Sequence, residues 1–286
     1  MNESEILIIG SKGQLGTALR NKYPKAKAID IDELDISDKK SVLNFKWDDI
    51  KTIINAAAYT NVDGSETPEG RIIAWKANAV APANLSYIAQ LKKITLVHIS
   101  SDYVFDGSET SHTEEESFSP LSVYGDSKAA GDIAVGNLDN HYIIRTSWVI
   151  GQGKNFVRTM LDLGSKGINP TVVNDQIGRL TFTSELIKAI DFLLINNSPY
   201  GTYNVSNSGE ISNWADITRK IFKLANLNNT VTDISTDKYY DGKTGIAPRP
   251  LNSTLDLSKI SSLGFKSTDW LKDLETYIKM EAKWKE

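Results

Sequence analysis

Residues 6–16, Ile6-Leu7-Ile8-Ile9-Gly10-Ser11-Lys12-Gly13-Gln14-Leu15-Gly16, carry the reading of the fold in this 286-residue chain. Four branched apolar residues in a row suit a strand buried on both faces, as in a parallel sheet. Three glycines at three-residue spacing follow at once. A turn without Cβ atoms lets the N–H groups at the start of a helix come close to a pyrophosphate. The spacing is GxxGxxG, not the more usual GxGxxG, and by itself it describes no more than a tight strand-to-helix turn. The residues that follow raise its weight. A second apolar run, residues 26–30, ends in Asp30, twenty positions after Gly10, where a carboxylate can accept from a ribose hydroxyl.

Outward from there, apolar runs at Thr52–Asn55, residues 95–100 and residues 142–146 alternate with helical periodicity. Ala79, Pro82, Leu85 and Ile88 recur at three-residue steps and mark one helix face. Strands apolar on both faces, separated by helices, predict a parallel sheet covered on both sides, and right-handed crossovers make it doubly wound. The alternation loosens after Thr146. Further strands are expected at Thr171–Val173 and residues 202–205, and helices over 184–195 and 213–225. The last has Trp214, Ile217, Ile221 and Leu224 on one side and Asn213 as its N-cap. Polar loops surround residues 106–119 and 236–250. The expected organisation is a dinucleotide-binding domain over 1–150, with 181–206 returning to it. Residues 151–180 and 207–286 then form a smaller lobe.

Composition narrows the function classes. The net charge is −4 and no basic block is longer than a pair, so no nucleic-acid partner is expected. No apolar run approaches the roughly 20 residues of a membrane span, and Ile6–Ile9 is too short for a signal peptide. A cytoplasmic protein with no membrane association is the expectation. Zero cysteines exclude disulfides, thiolate metal sites and a cysteine nucleophile. His98, His112 and His141 lie too far apart in sequence to form a metal-ligand pair, and no metal is expected.

Two further segments carry chemistry. In Tyr124-Gly125-Asp126-Ser127-Lys128 a phenol and an amine stand four residues apart, on one face if the segment is helical. An ammonium beside a phenol lowers the phenol's pKa toward the working range, and a tyrosine so tuned can protonate a developing alkoxide. Alone, this spacing is common on amphipathic helices. It gains force from Ser100-Ser101-Asp102-Tyr103-Val104, where a hydroxyl at a strand end can bond the same oxygen. Asn55-Ala56-Ala57-Ala58-Tyr59 places small residues at the end of the third strand, where a flat ligand can approach the backbone. Asp30 and Asp32 repel a 2′-phosphate and favour NADH. Lys12 reads two ways, as a cation that admits NADPH or as an exposed loop lysine, so NADPH and NADH both stand.

Together these residues resemble the short-chain dehydrogenase/reductase superfamily and, more narrowly, its dTDP-4-dehydrorhamnose reductase family. The narrower likeness rests on segments in order across nearly the whole chain: Gly13-Gln14-Leu15-Gly16, Asn55-Ala56-Ala57-Ala58-Tyr59-Thr60, Asp102-Tyr103-Val104-Phe105, Val123-Tyr124-Gly125, Arg145-Thr146-Ser147-Trp148, Val173-Asn174-Asp175-Gln176 and Arg249-Pro250-Leu251-Asn252-Ser253. The resemblance implies a Rossmann-like doubly wound α/β sheet with a smaller C-terminal substrate-binding lobe. It implies reduction of the 4-keto group of a dTDP-linked 6-deoxyhexose by NADPH or NADH, with Tyr124, Lys128 and Ser101 catalytic. Cofactor contacts are implied at Gly10, Gly13, Gln14, Leu15, Gly16, Asp30, Asp35, Ile36, Ala57, Ala58, Tyr59 and Thr60 as well as Tyr124 and Lys128, with Lys12 beside them. Sugar contacts are implied at Ser101, Asp102 and Trp148. The substrate diphosphate needs cations or N–H donors, for which Arg179 and Arg249 are candidates, with Asn155 and Lys154.

This chain departs from the family pattern in three places: Ser101 for the usual threonine, Leu180 for the usual proline before Thr181, and the segment from Asn61 to Glu66. A homodimer, otherwise a monomer, is expected. Two other readings stay open. The first is a related sugar-nucleotide epimerase; a 4,6-dehydratase is disfavoured, because Tyr103 follows Asp102 where elimination chemistry needs a second carboxylate. The second is a non-catalytic nucleotide-binding regulatory subunit of the same fold.

Overall fold

The computed structural model describes residues 2–283. Its centre is a six-stranded parallel sheet of β1 (Ile6–Ile9), β2 (Lys27–Ile29), β3 (Thr52–Asn55), β4 (Thr95–Ser101), β5 (His141–Thr146) and a late strand, Gly201–Asn204, which lies at the edge beside β5. The order is late strand–β5–β4–β3–β1–β2. The chain moves one way from β1 to β2 and the other way to β3. The ends of β1 and β3 therefore meet at a switch point, Ile9 facing Asn55 in register, and the next residues, Gly10 and Ala56, open the crevice where such sheets bind ligands. The apolar runs are buried as expected of a sheet covered on both faces: Ile6, Leu7, Ile8 and Ile9 are all buried, and separate cores fill the two sides.

Helix α1 (Gln14–Lys22) leaves the glycine turn, α2 (Lys39–Asn44) precedes β3, and α3 (Pro68–Trp75) and α4 (Ala81–Lys92) precede β4. The expected helix through Ala79 and Ile88 is interrupted by one wide π turn, Lys76–Val80. Pro82 has no N–H to give the Asn78 carbonyl, so the ordinary ladder lapses there. Such turns concentrate at functional sites, and this one turns Asn78 inward: its side chain accepts from Tyr59 N at 2.9 Å and donates to Tyr59 O and Ser127 Oγ. Helix α5 (Val123–Gly136) then carries the Tyr124–Lys128 pair, capped by Ser122 and by Glu66, which accepts from Val123 N at 2.9 Å.

The rest builds the smaller part. Strands β6 (Val149–Ile150), β7 (Thr171–Val173), β8 (Ile177–Gly178) and β9 (Thr181–Phe182), with α6 (Phe156–Ser165), precede α7 (Thr183–Ile195) and the late sheet strand β10. β11 (Ser212–Asn213), α8 (Trp214–Leu224), β12 (Thr232–Ile234), α9 (Thr236–Tyr240), α10 (Ser258–Ser262) and α11 (Trp270–Lys283) follow. Residues of α6, α8 and α11 close a third core around Phe222, Trp270 and Leu180. Leu180, where the family has proline, is fully buried in it. Asn213 caps α8 by accepting from Asp216 N at 2.8 Å. Asn252, just after the second polar loop, is stitched to the first, donating to Glu109 O and Thr110 O. Among the described residues no helix is long and apolar enough to cross a membrane.

Candidate active site

The glycine turn is shaped by contact distances. Gly10 sits at φ +80°, and a Cβ on it would lie 2.5 Å from Ala57 N; a Cβ on Gly16 would lie 2.0 Å from Gly10 O. Both positions need glycine, one to bring the turn against β3 and one to bring α1 against the turn. Gly13, the N-cap of α1, has open space by comparison. Beyond the turn lies a recess of about 470 Å³ lined by Gly10, Lys12, Gly13, Asp30, Asp35, Ile36, Ala57, Ala58 and Tyr59. Asp30 accepts from Lys12 N at 2.9 Å, so the acidic end of β2 is tied to the glycine turn. Lys12 Nζ pairs with Asp32 at 2.7 Å, and both side chains are more than half exposed. A pair that open is worth little and is easily exchanged for a phosphate. The bare cradle at Gly13 and the carboxylate acceptors at Asp30 and Asp35 fit a dinucleotide.

A second cleft, of about 660 Å³, continues from the first, sharing Lys12, Gly13, Ala56 and Ala58. Gln14, Leu15, Thr60, Ser101, Asp102, Tyr124, Lys128 and Trp148 also line it. The sheet brings Ser101 there from the end of β4 and the first two turns of α5 bring Tyr124 and Lys128. Asn55 and Asn78 hold the β3 end in place, Asn55 accepting from Ala57 N at 3.2 Å. Ser101 Oγ donates to Asp102 at 2.9 Å, and Lys128 Nζ donates to Ile99 O at 2.7 Å. The rings of Tyr103 and Tyr124 meet edge to face, 5.3 Å apart.

Electrostatics reverse one expectation. The Tyr124 phenol is pushed up to about 12, first by burial and then by the Asp102 carboxylate, with Ser101 pulling the other way. Lys128 does not lower it. The ammonium points at a carbonyl, and burial brings its own pKa down to about 8 against the pull of Asp132. Burial also lifts Asp102 to about 6. At neutral pH Tyr124 is thus a buried, proton-bearing phenol in the wall of the cleft.

The wall opposite the sheet is made of side chains. Trp148 stands at φ +47°, stacks on Trp214 at 3.8 Å between ring centroids, and packs over Gly178. Trp214 was readable only as one face of an amphipathic helix; in the fold it backs the wall. Two diphosphate candidates do not line the cleft. Asn155 caps α6 by accepting from Arg158 N, and its amide nitrogen is engaged by Gly151 O, Gly153 O and the Tyr277 hydroxyl, so the whole side chain is used inward. Arg179 lies in a separate recess with Ser111 and Asp256, donating to Leu255 O. Lys154 lines the cleft. Arg249 opens onto a neighbouring hollow of about 740 Å³ with Tyr240 and Lys243, paired with Asp63 at 2.8 Å. In the divergent 61–66 segment Asp63 thus holds Arg249 and Ala247 N, and Glu66 accepts from the start of α5.

The family model for the RmlD substrate binding domain matches residues 4–282. The chain is 36% identical to a dTDP-4-dehydrorhamnose reductase of Aggregatibacter actinomycetemcomitans, over 96% of this chain and 99% of that one. It is 33% identical to the spore coat polysaccharide biosynthesis protein SpsK of Bacillus subtilis, over 96% and 97%. Among solved structures, a dTDP-4-dehydrorhamnose reductase from Bacillus anthracis in complex with NADP superposes with a TM-score of 0.87 at 34% identity, covering 96% of this chain and 98% of that one. A match running almost end to end takes in both the sheet and the smaller lobe, and the chain belongs to the RmlD substrate binding domain family, among the dTDP-4-dehydrorhamnose reductase-like proteins.

Proposed function

We propose that this protein is an NAD(P)H-dependent oxidoreductase that reduces the 4-keto group of dTDP-4-dehydro-L-rhamnose to give dTDP-L-rhamnose, acting in the cytoplasm. The observation that carries the reading is the buried, protonated Tyr124 phenol sharing one cleft with the Ser101 hydroxyl, Lys128 and the glycine turn. The reductase names of the full-length relatives support the same reaction.

The nicotinamide, when bound, supplies a hydride to the sugar C4. Everything else falls to the chain. Gly10 and Gly16 let the turn pack tightly against β3 and α1, Gly13 would leave room for the pyrophosphate, and Asp30 would accept from a ribose hydroxyl. Lys128 holds the second ribose. Tyr124 gives its proton to the C4 oxygen as charge develops there, and a phenol held at about 12 carries that proton throughout the neutral range. Ser101, turning its hydroxyl from Asp102 to the same oxygen, stabilises the charge before the proton arrives. Trp148, backed by Trp214, offers the sugar ring an apolar wall. Arg249 and Lys154 neutralise the diphosphate. The lobe that recognises the sugar nucleotide comprises 151–180 and 207–286, supported by its separate core.

The test is oxidation of NADPH and NADH in the presence of enzymatically prepared dTDP-4-keto-6-deoxy-L-mannose. Consumption of either cofactor with formation of dTDP-L-rhamnose is expected. Silence with both, from folded protein that binds dinucleotide, sinks the assignment of this sugar.

A further inference from the structure

Behind the cleft, Lys128 is accompanied by two further buried charges, Asp132 and Arg145, that the reaction above does not use. Lys128, Asp132 and Arg145 are each at least 96% buried. Asp132 follows Lys128 by four residues on α5, so the two side chains share a face. Arg145, from β5, donates Nε to Asp132 Oδ2 at 3.0 Å. It is fixed further by Glu114 O at 3.1 Å and by the rings of Phe105 and Phe118, 5.2 and 4.9 Å from its guanidinium carbon. The other carboxylate oxygen, Asp132 Oδ1, is buried without a close hydrogen bond, and the Ser100 hydroxyl acts on the carboxylate beside Arg145. One anion therefore stands between two buried cations. No hydrogen bond joins Asp132 to Lys128, so the coupling acts through space in a poorly screened interior.

We propose that Asp132 is a positioning residue that keeps Lys128 charged behind the cleft, with Arg145 setting how much of the carboxylate's charge is left for it. Arginine does not give up its proton at accessible pH. Any loss of negative charge at position 132 is therefore answered by Lys128. The inference rests on the reading above, in which Lys128 holds the cofactor ribose.

The other ionisable groups around Lys128 are His98 from β4, Asp102 from the turn after it and Tyr124 on α5 itself. α3 contributes Arg71, which acts on Asp126 on the exposed face of the helix. His98 is held well below its ordinary value by burial, Asp102 sits at about 6 and Tyr124 at about 12. Between pH 7 and 10 the group of this cluster that titrates is Lys128, at about 8. It is charged below that pH and loses its charge as pH rises through it.

The experiment is NADPH affinity of the full chain, followed by nicotinamide fluorescence from pH 6.5 to 9.5, with no sugar present. Wild type should weaken as pH passes about 8, and Lys128→Met should lose that step. Asp132→Asn should move the step about one unit lower, and Asp132→Glu should restore it. Arg145→Met, which frees the carboxylate for Lys128, should move it higher. That opposite sign is one a purely structural role does not produce. A folded Asp132→Asn whose step coincides with wild type overturns the proposal. If that variant does not fold, an unmoved step in folded Arg145→Met does the same. Failure of wild type to bind NADPH at any pH overturns the dinucleotide reading along with it, whereas a wrong sugar leaves the measurement intact.

Discussion

The two walls of the cleft are built of different material. The sheet wall is mostly backbone: the turn at Gly10, the start of α1 at Gly13 and the small residues after β3, held by Asn55 and Asn78. The opposite wall is side chain: Trp148, backed by Trp214 at the start of α8, and Lys154, with Arg249 held by Asp63 at the neighbouring hollow. Backbone carried on a parallel sheet leaves little latitude, because a single added methyl collides with main-chain atoms that cannot move aside. Side chains on loops can be exchanged without touching the core. Under the proposed function, the contrast puts the common chemistry on the first wall and the choice of substrate on the second.

The largest effect should come where the walls meet. Tyr124→Phe should lower turnover roughly 10²–10⁴-fold while leaving NADPH affinity near wild type, because it removes the proton donor alone. Single-turnover kinetics beside a fluorescence titration separate the two quantities. Gly16→Ala tests the backbone wall: a Cβ 2.0 Å from Gly10 O forces the turn and α1 apart. Loss of dinucleotide binding with much of the fold kept is expected, and an unchanged dissociation constant breaks the comparison. For the side-chain wall, Trp148→Ala should raise KM for the sugar nucleotide about tenfold, the scale of a lost aromatic contact, with cofactor affinity unchanged. A fall in cofactor affinity instead would place Trp148 on the wrong wall.

The smallest effect concerns Asp102. Its folded pKa, about 6, lies above the unfolded carboxylate value, so the native state holds a proton the unfolded chain has lost. The stability this contributes is present at low pH and disappears as pH rises through about 6. Asp102→Asn should therefore gain a few degrees in Tm over wild type near pH 8, and that gain should vanish toward pH 4. A difference independent of pH contradicts the buried-carboxylate reading.

The same contrast explains what could be read from the chain. The main sheet was legible because its signals are local: β1 and β3 fall on the apolar runs themselves, and β2 is one residue shorter at each end than the run over 26–30, stopping at Ile29, whose carbonyl accepts from Gly10 N and Ser11 N. The sheet also gathers Ser101, Tyr124 and Lys128 from separate segments into one cleft. The second wall was harder. Asn155 looks like a loop donor until α6 is seen to start on it, and Arg179 looks like a phosphate ligand until its recess is seen to lie elsewhere. Trp214 reads as core from its spacing. Asn78 gave no signal beyond Pro82 four residues later, which could have hinted at the broken ladder. The direction of the Tyr124 shift was misread for a related reason. A four-residue spacing places Lys128 on the same face but says nothing of burial or of Asp102, and those two decide it.

The central claim is that hydride and proton are delivered across one sugar carbonyl, the proton by Tyr124. The most direct test is reduction of dTDP-4-keto-6-deoxy-L-mannose with NADPH deuterated at nicotinamide C4, read by proton NMR of the isolated product. The account predicts dTDP-L-rhamnose carrying the label at C4 from wild type, and unreacted ketone from Tyr124→Phe with NADPH still bound. Label at any other carbon, or labelled product from Tyr124→Phe at the wild-type rate, would contradict it.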